Sequence, residues 1–160
     1  MGLSPLRREP LNRGLADLRA RRGSRANRSA DMEQRPRIRR VGGAFSIHRL
    51  PADHPLPEGL ATEPMVWIGR TEAELSVVCR ERPERAAWGE VSGGWGALEV
   101  EGPLEFTIVG LLAELTAVLA NAEISVFALS TFDTDYLLVP GDRLDEAVER
   151  LGEAGFTPLA

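Results

Sequence analysis

Residues 124–140 read ISVFALSTFDTDYLLVP. Two runs rich in β-branched, aromatic and leucine side chains, 124–129 and 136–139, flank the polar segment 130–135, a pattern that predicts a β-hairpin. A turn that served only chain reversal would be met by glycine or an Asn-Gly pair. This one carries Ser130, Thr131, Phe132, Asp133, Thr134 and Asp135, a density of carboxylates and hydroxyls that points to recognition.

A second hairpin is predicted upstream, from MVWIGR (65–70) and ELSVVCR (74–80) around the turn Thr71-Glu72-Ala73. Laid over the first at an offset of about 60 residues, Thr71 falls on Thr131, Trp67 on Phe127, and Val77 and Val78 on Leu137 and Leu138, which suggests two related modules in tandem. Working outward, AFSIHRL (44–50) and WGALEVE (95–101) alternate as strands. From Thr107, a candidate N-cap, apolar residues recur at Ile108, Leu111, Leu112, Leu115, Val118 and Leu119, predicting a helix to about Ala120 with Asn121 as its left-handed cap. Asp142 is expected to cap a second helix carrying Leu144, Ala147, Val148 and Leu151, which Gly155 ends. A short last strand is expected in 156–160. The second module therefore reads as a βαββαβ, ferredoxin-like unit.

The 160 residues include 43% hydrophobic ones, enough for one domain or two very small ones. Charge is divided unevenly. Residues 1–40 hold twelve of the 19 basic residues against four acids, a net +8, and residues 41–160 hold seven against 20, a net −13. Every basic residue is Arg. Residues 1–43 are expected to be a disordered Arg-rich tail. It reads as an extension outside the native protein, with Met32 as the start, ahead of a basic arm that touches phosphates, since no aromatic residue is interleaved for base stacking. No stretch reaches the ~20 apolar residues of a membrane span, and residues 1–40 lack a secretory signal. The expected location is the cytoplasm. Cys79 reads as a small buried hydrophobe. His48 and His54 have no zinc-ligand spacing around them, and His48 is expected to be half-exposed on its strand.

WGALEVEGPLEF, the helix after it, and above all residues 124–139 resemble the ACT domains of small amino-acid-binding proteins, and are similar to the tandem ACT modules of cytosolic arginine sensors. The resemblance covers about residues 45–156. It implies an α+β fold of two tandem ferredoxin-like, ACT-like modules, the first lacking clear helices: the tail at 1–43, a degenerate first module at 44–82, a linker at 83–94 and the second module at 95–160. It also implies a non-enzymatic regulatory protein that holds a free amino acid at an interface between modules, without a cofactor or metal, and a homodimer. Carried over, the ligand residues are Ser125 and Val126 at the strand start, Phe132, Asp133 and Asp135 from the hairpin, and Thr107, Ile108 and Val109 at the helix start. The residues agree on chemical grounds: a helix start supplies N–H groups to a carboxylate, and Asp133 or Asp135 can pair with a cation. The competing readings are a dimerisation module without ligand, and nucleic-acid contact through the tail, which the acidic remainder opposes.

Overall fold

The computed structural model describes residues 35–104 and 108–159. Seven strands, β1 (Arg37–Pro51), β2 (Trp67–Arg70), β3 (Glu74–Arg80), β4 (Glu90–Val100), β5 (Phe127–Ser130), β6 (Asp135–Pro140) and β7 (Thr157–Leu159), form one sheet. Among the described residues two α-helices, α1 (Leu111–Asn121) and α2 (Leu144–Glu153), lie in the second half of the chain. The strand order is β2-β3-β1-β4-β6-β5, with β1 and β4 antiparallel at the centre.

This order has an internal symmetry carried by register. In the β2–β3 hairpin Trp67 faces Val78 and Arg70 faces Leu75. In the β5–β6 hairpin Phe127 faces Leu138 and Ser130 faces Asp135, each position 60 residues later. The turns match too. Thr71 N–H donates to Glu74 O at 2.9 Å and Thr131 N–H to Thr134 O at 2.8 Å, and each threonine hydroxyl accepts the N–H three residues on. Ile47–Val78 and His48–Val77 across β1–β3 recur as Ala97–Leu138 and Leu98–Leu137 across β4–β6. Gly43 and Gly94 both take positive φ, 82° and 74°, beside register shifts between β1 and β4.

One face of the sheet carries two cores. Under the helices lie Ile38, Leu98, Val100, Leu115, Leu119, Leu137, Val139, Leu151 and Phe156. In the first half Leu50, Leu60, Leu75, Val77 and Cys79 are covered by coil and by Trp88. The regular covering there shrinks to single 3₁₀ turns at Leu60–Thr62 and Pro83–Arg85. The opposite face holds Phe45, Val78, Ala97 and Leu138 with Trp67 and Trp95. Trp67 on β2 and Tyr136 on β6 have ring centroids 5.0 Å apart although three strands separate them in the sheet. At ~4.8 Å per strand a flat sheet could not bring them together, so it curls toward this face.

Several boundaries differ from the sequence expectation, each for a tertiary reason. Strand β1 begins at Arg37, not at residue 44, because Ile38 is buried and the arginines beside it find carboxylates on β4: Arg37 pairs with Glu101, and Arg39 with Glu99. The part of the expected tail at 1–34 lies outside the described residues. The expected linker 83–94 is half strand, since β4 starts at Glu90. Asn121 ends α1 in helical conformation and Glu123 takes the left-handed position at φ 56°, closed by Ile124 N–H donating to Leu119 O at 2.9 Å. Asp142 does not cap α2. It lies in a 3₁₀ turn, Gly141–Arg143, that leads directly into the helix. Gly155 does close α2, with Phe156 N–H donating to Leu151 O at 3.0 Å. The last strand, β7, pairs in parallel with β1. A self-contained ferredoxin-like unit would lay it beside β4, whose flank β1 already occupies.

His48 is 1% exposed rather than half-exposed. It stands in the register place of Leu98, under the coil cover, with Nε2 2.8 Å from Ser46 Oγ and the Trp88 ring 5.5 Å away. Among the described residues Nδ1 has no partner of good hydrogen-bond geometry, and burial pushes the imidazole below its ordinary pKa, with the nearby Arg85 cation acting the same way against an opposing contact with the Trp88 main chain.

Candidate functional site

A cleft of about 360 Å³ opens between the start of α1 and the β5–β6 turn, lined by Leu104, Ile108, residues 110–113 and residues 130–135. Its helix wall follows from Gly110, whose φ of 90° turns the chain into α1. Among the described residues no side chain caps that end, and the first N–H groups of a helix have no partner within it. Leu111, Leu112 and Ala113, which carry those groups, all line the cleft. The aligned peptide dipoles add partial positive charge there.

The opposite wall is the hairpin turn. Ser130 donates its hydroxyl proton to Asp135 Oδ1 at 2.6 Å, which fixes that carboxylate. Leu104 N–H donates to Asp133 O at 2.7 Å, and the Thr134 hydroxyl donates to Val100 O, so the segment after β4 is fastened to the turn. The contact is close: a Cβ on Gly102 would come within 2.5 Å of Asp133 O, and only glycine allows that approach. An N–H-rich helix end thus faces two carboxylates, with no Arg, Lys or His in the lining. This arrangement suits a zwitterion with additional positive charge.

Of the residues expected from the sequence, Ile108, Phe132, Asp133 and Asp135 line this cleft. Phe132 is 78% exposed and Val109, outside the lining, 96%. Ser125 is exposed and Val126 packs against the helix-covered core just before β5, away from the lining. Thr107 lies outside the described residues. Ser130, Thr131 and Thr134 stood out in the sequence as part of the polar turn but not as ligand residues, and the glycine-led helix entry at 110–113 was passed over. The signal for the last was Gly110 breaking the apolar run ahead of Leu111.

A wider groove of about 630 Å³ runs between the end of α1 and α2. Of its lining charges, Glu146 pairs with Arg143 beside the groove at 2.6 Å and Arg150 with Glu153 at 2.8 Å, and the described lining presents no helix N-terminus. Among the described residues no group of three His, Cys, Asp or Glu could hold a metal ion, and no helix is long and apolar enough to cross a membrane.

Residues 90–153, from the start of β4 to the end of α2, match the ACT domain. Protein Atu0741 from Agrobacterium tumefaciens has a similar structure, with a TM-score of 0.69 and 31% identity over 79% of this chain and 93% of that one. The chain belongs to the ACT-domain family. ACT domains are regulatory, amino-acid-binding modules. The chain is also 38% identical over 58 residues to subunit 1 of the cytosolic arginine sensor for mTORC1 from Homo sapiens and Bos taurus, 36% of this chain but 18% of the relative. The chain thus spans less than a fifth of those relatives. The regulatory subunit of aspartate kinase from Thermus flavus shares the fold, with a TM-score of 0.52 and 11% identity over 73% of this chain and 95% of that one.

Proposed function

We propose that this protein is a non-enzymatic sensor that binds a free amino acid between α1 and the β5–β6 turn, and that its sheet is two tandem ACT-like halves joined through β1 and β4. One observation carries the ligand reading: uncapped helix N–H groups on one wall of the cleft face Asp133 and Asp135 on the other. The helix start takes the α-carboxylate and Asp135 takes an ammonium. With two carboxylates and no cation in the lining, an amino acid with a cationic side chain balances the site best, and the related sensors are named for arginine. The matching registers at an offset of 60 support the tandem halves.

Ile108 and Phe132 in the cleft and Val109 nearby leave apolar surface in water, which supports a second chain covering the ligand in a homodimer. The cytosolic relatives favour the cytoplasm. Thermal-shift measurement against the twenty amino acids tests the reading: a ligand at 100 times its Kd stabilises by about 2.7 kcal/mol. A flat response across all twenty would leave a dimerisation module as the better account. Asp135→Ala should weaken binding at least tenfold, since a hydrogen bond to a charged group is worth about 1.5–3 kcal/mol, while the melting temperature without ligand stays unchanged.

A further inference from the structure

The two hairpins share register and turn hydrogen bonds but differ at their last pair, Ser130–Asp135 in one and Arg70–Leu75 in the other. What Arg70 does is specific. Its guanidinium donates through Nη1 to Ala52 O and through Nη2 to His54 O at 2.9 Å. Ala52 and His54 follow β1 as Gly102 and Leu104 follow β4, 50 residues on, the same offset that relates the β1–β3 and β4–β6 registers. Ser130 and Leu104 both line the cleft of the second half. Arg70 therefore spans, in the first half, the gap that stands open in the second.

We propose that Arg70 is a tethered guanidinium occupying the first half's counterpart of the cleft, so that the chain presents one open site and a chain lacking Arg70 presents a second, selective for guanidinium compounds. This rests on the tandem reading above but not on the identity of any amino acid. The selectivity follows from geometry. A planar fork reaches two main-chain carbonyls at once, which a compact ammonium on the same stem does not reproduce. It also accounts for the missing acid: where the cation is built in and held by carbonyls, the place of Asp135 is filled by Leu75, part of the coil-covered core. Tethering gives the internal cation an effective concentration in the millimolar range or above, so no free guanidinium compound displaces it in the wild type.

The test is chemical rescue of Arg70→Ser, which installs the residue of the second half, in the full-length chain. Its melting temperature should fall by about 4 °C, then recover saturably in low-millimolar methylguanidinium, and not in methylammonium at equal ionic strength. Wild-type protein should show neither response. Arg70→Lys, which keeps the charge and stem but not the fork, should be rescued in the same way and covers the case in which the serine variant folds poorly. Failure of methylguanidinium to stabilise either variant, or equal stabilisation by methylammonium, overturns the proposal. No amino acid enters this titration, so its failure is distinct from failure of the sensor reading, which appears as a flat amino-acid screen of the wild type.

Discussion

The two halves of the sheet share strand register residue for residue, yet one face of the first is covered by coil and that of the second by two helices. The cause is local. After β4, Gly110 opens onto Leu111, Leu112, Leu115 and Leu119, a helical apolar stripe. After β1, Gly59 takes the same left-handed turn, φ 82°, onto Leu60, but a single 3₁₀ turn follows before the chain runs on to β2. A three-residue turn cannot present a helix N-terminus with its dipole, so among the described residues of the sheet's two halves only the second has such a helix start. Strand pairing is thus separable from what covers it: the registers recur while the cover changes from coil to helix.

The largest test of that contrast is core truncation. Leu115→Ala, under rigid helical cover, should cost about 3–5 kcal/mol, and Leu60→Ala, under coil able to collapse into the void, nearer 2 kcal/mol. Urea melts of both variants check it, and equal losses would show the coil cover to be as rigid as the helices. Next comes the ion pair that anchors the coil. Arg85, buried against Trp88, is held by Glu63. Removing the acid in Glu63→Ala leaves a nearly buried cation, at about 3 kcal/mol. Because that pairing holds the Glu63 carboxyl below its ordinary pKa, its contribution is present above pH ~4.3 and is lost as pH falls through the folded value.

A smaller effect is expected from His48, the polar occupant of a place that Leu98 fills in the second half. Its folded pKa is lowered, so between that value and the unfolded ~6.5 the unfolded chain binds more protons and stability falls with falling pH. Unfolding midpoints measured from pH 7.5 to 5 should lose this component in His48→Leu, and an identical pH profile would mean that the imidazole charges without penalty. The smallest change is a gain. Glu123→Gly relieves a left-handed residue at the end of α1 and should stabilise by about 1 kcal/mol, read as a rise in melting temperature.

Much of the fold was legible in local pattern. The alternation on either side of 130–135 and the 60-residue echo at Thr71 marked both hairpins, and the leucine spacing after Gly110 marked α1, because each signal lies within one element and its turn. Arg37–Arg40 was not legible as strand. Those arginines are tolerable there through carboxylates distant in sequence, Glu101 for Arg37, Glu99 for Arg39 and Asp145 for Arg40, and a run of arginines with distant partners looks like a solvated tail. The burial of His48 was hidden for a similar reason, since its cover comes from Trp88 and Arg85 rather than its own strand. Of the candidate site, the hairpin residues showed as an excess of polar chemistry. The 110–113 wall did not, because its donors are main-chain N–H groups that any sequence carries.

The sequence by itself determined which segments form the two hairpins and the two helices, which turn is chemically overbuilt, and that the hairpins share one plan, since these depend on side-chain period and turn chemistry within a few residues. Only the tertiary structure decided that β1 and β4 join the halves, that β7 pairs with β1, that Asp135 faces a helix start, and that Arg70 reaches the carbonyls after β1. Each is a meeting of groups distant along the chain, selected by the single packing that buries both cores and pairs the charges beside them.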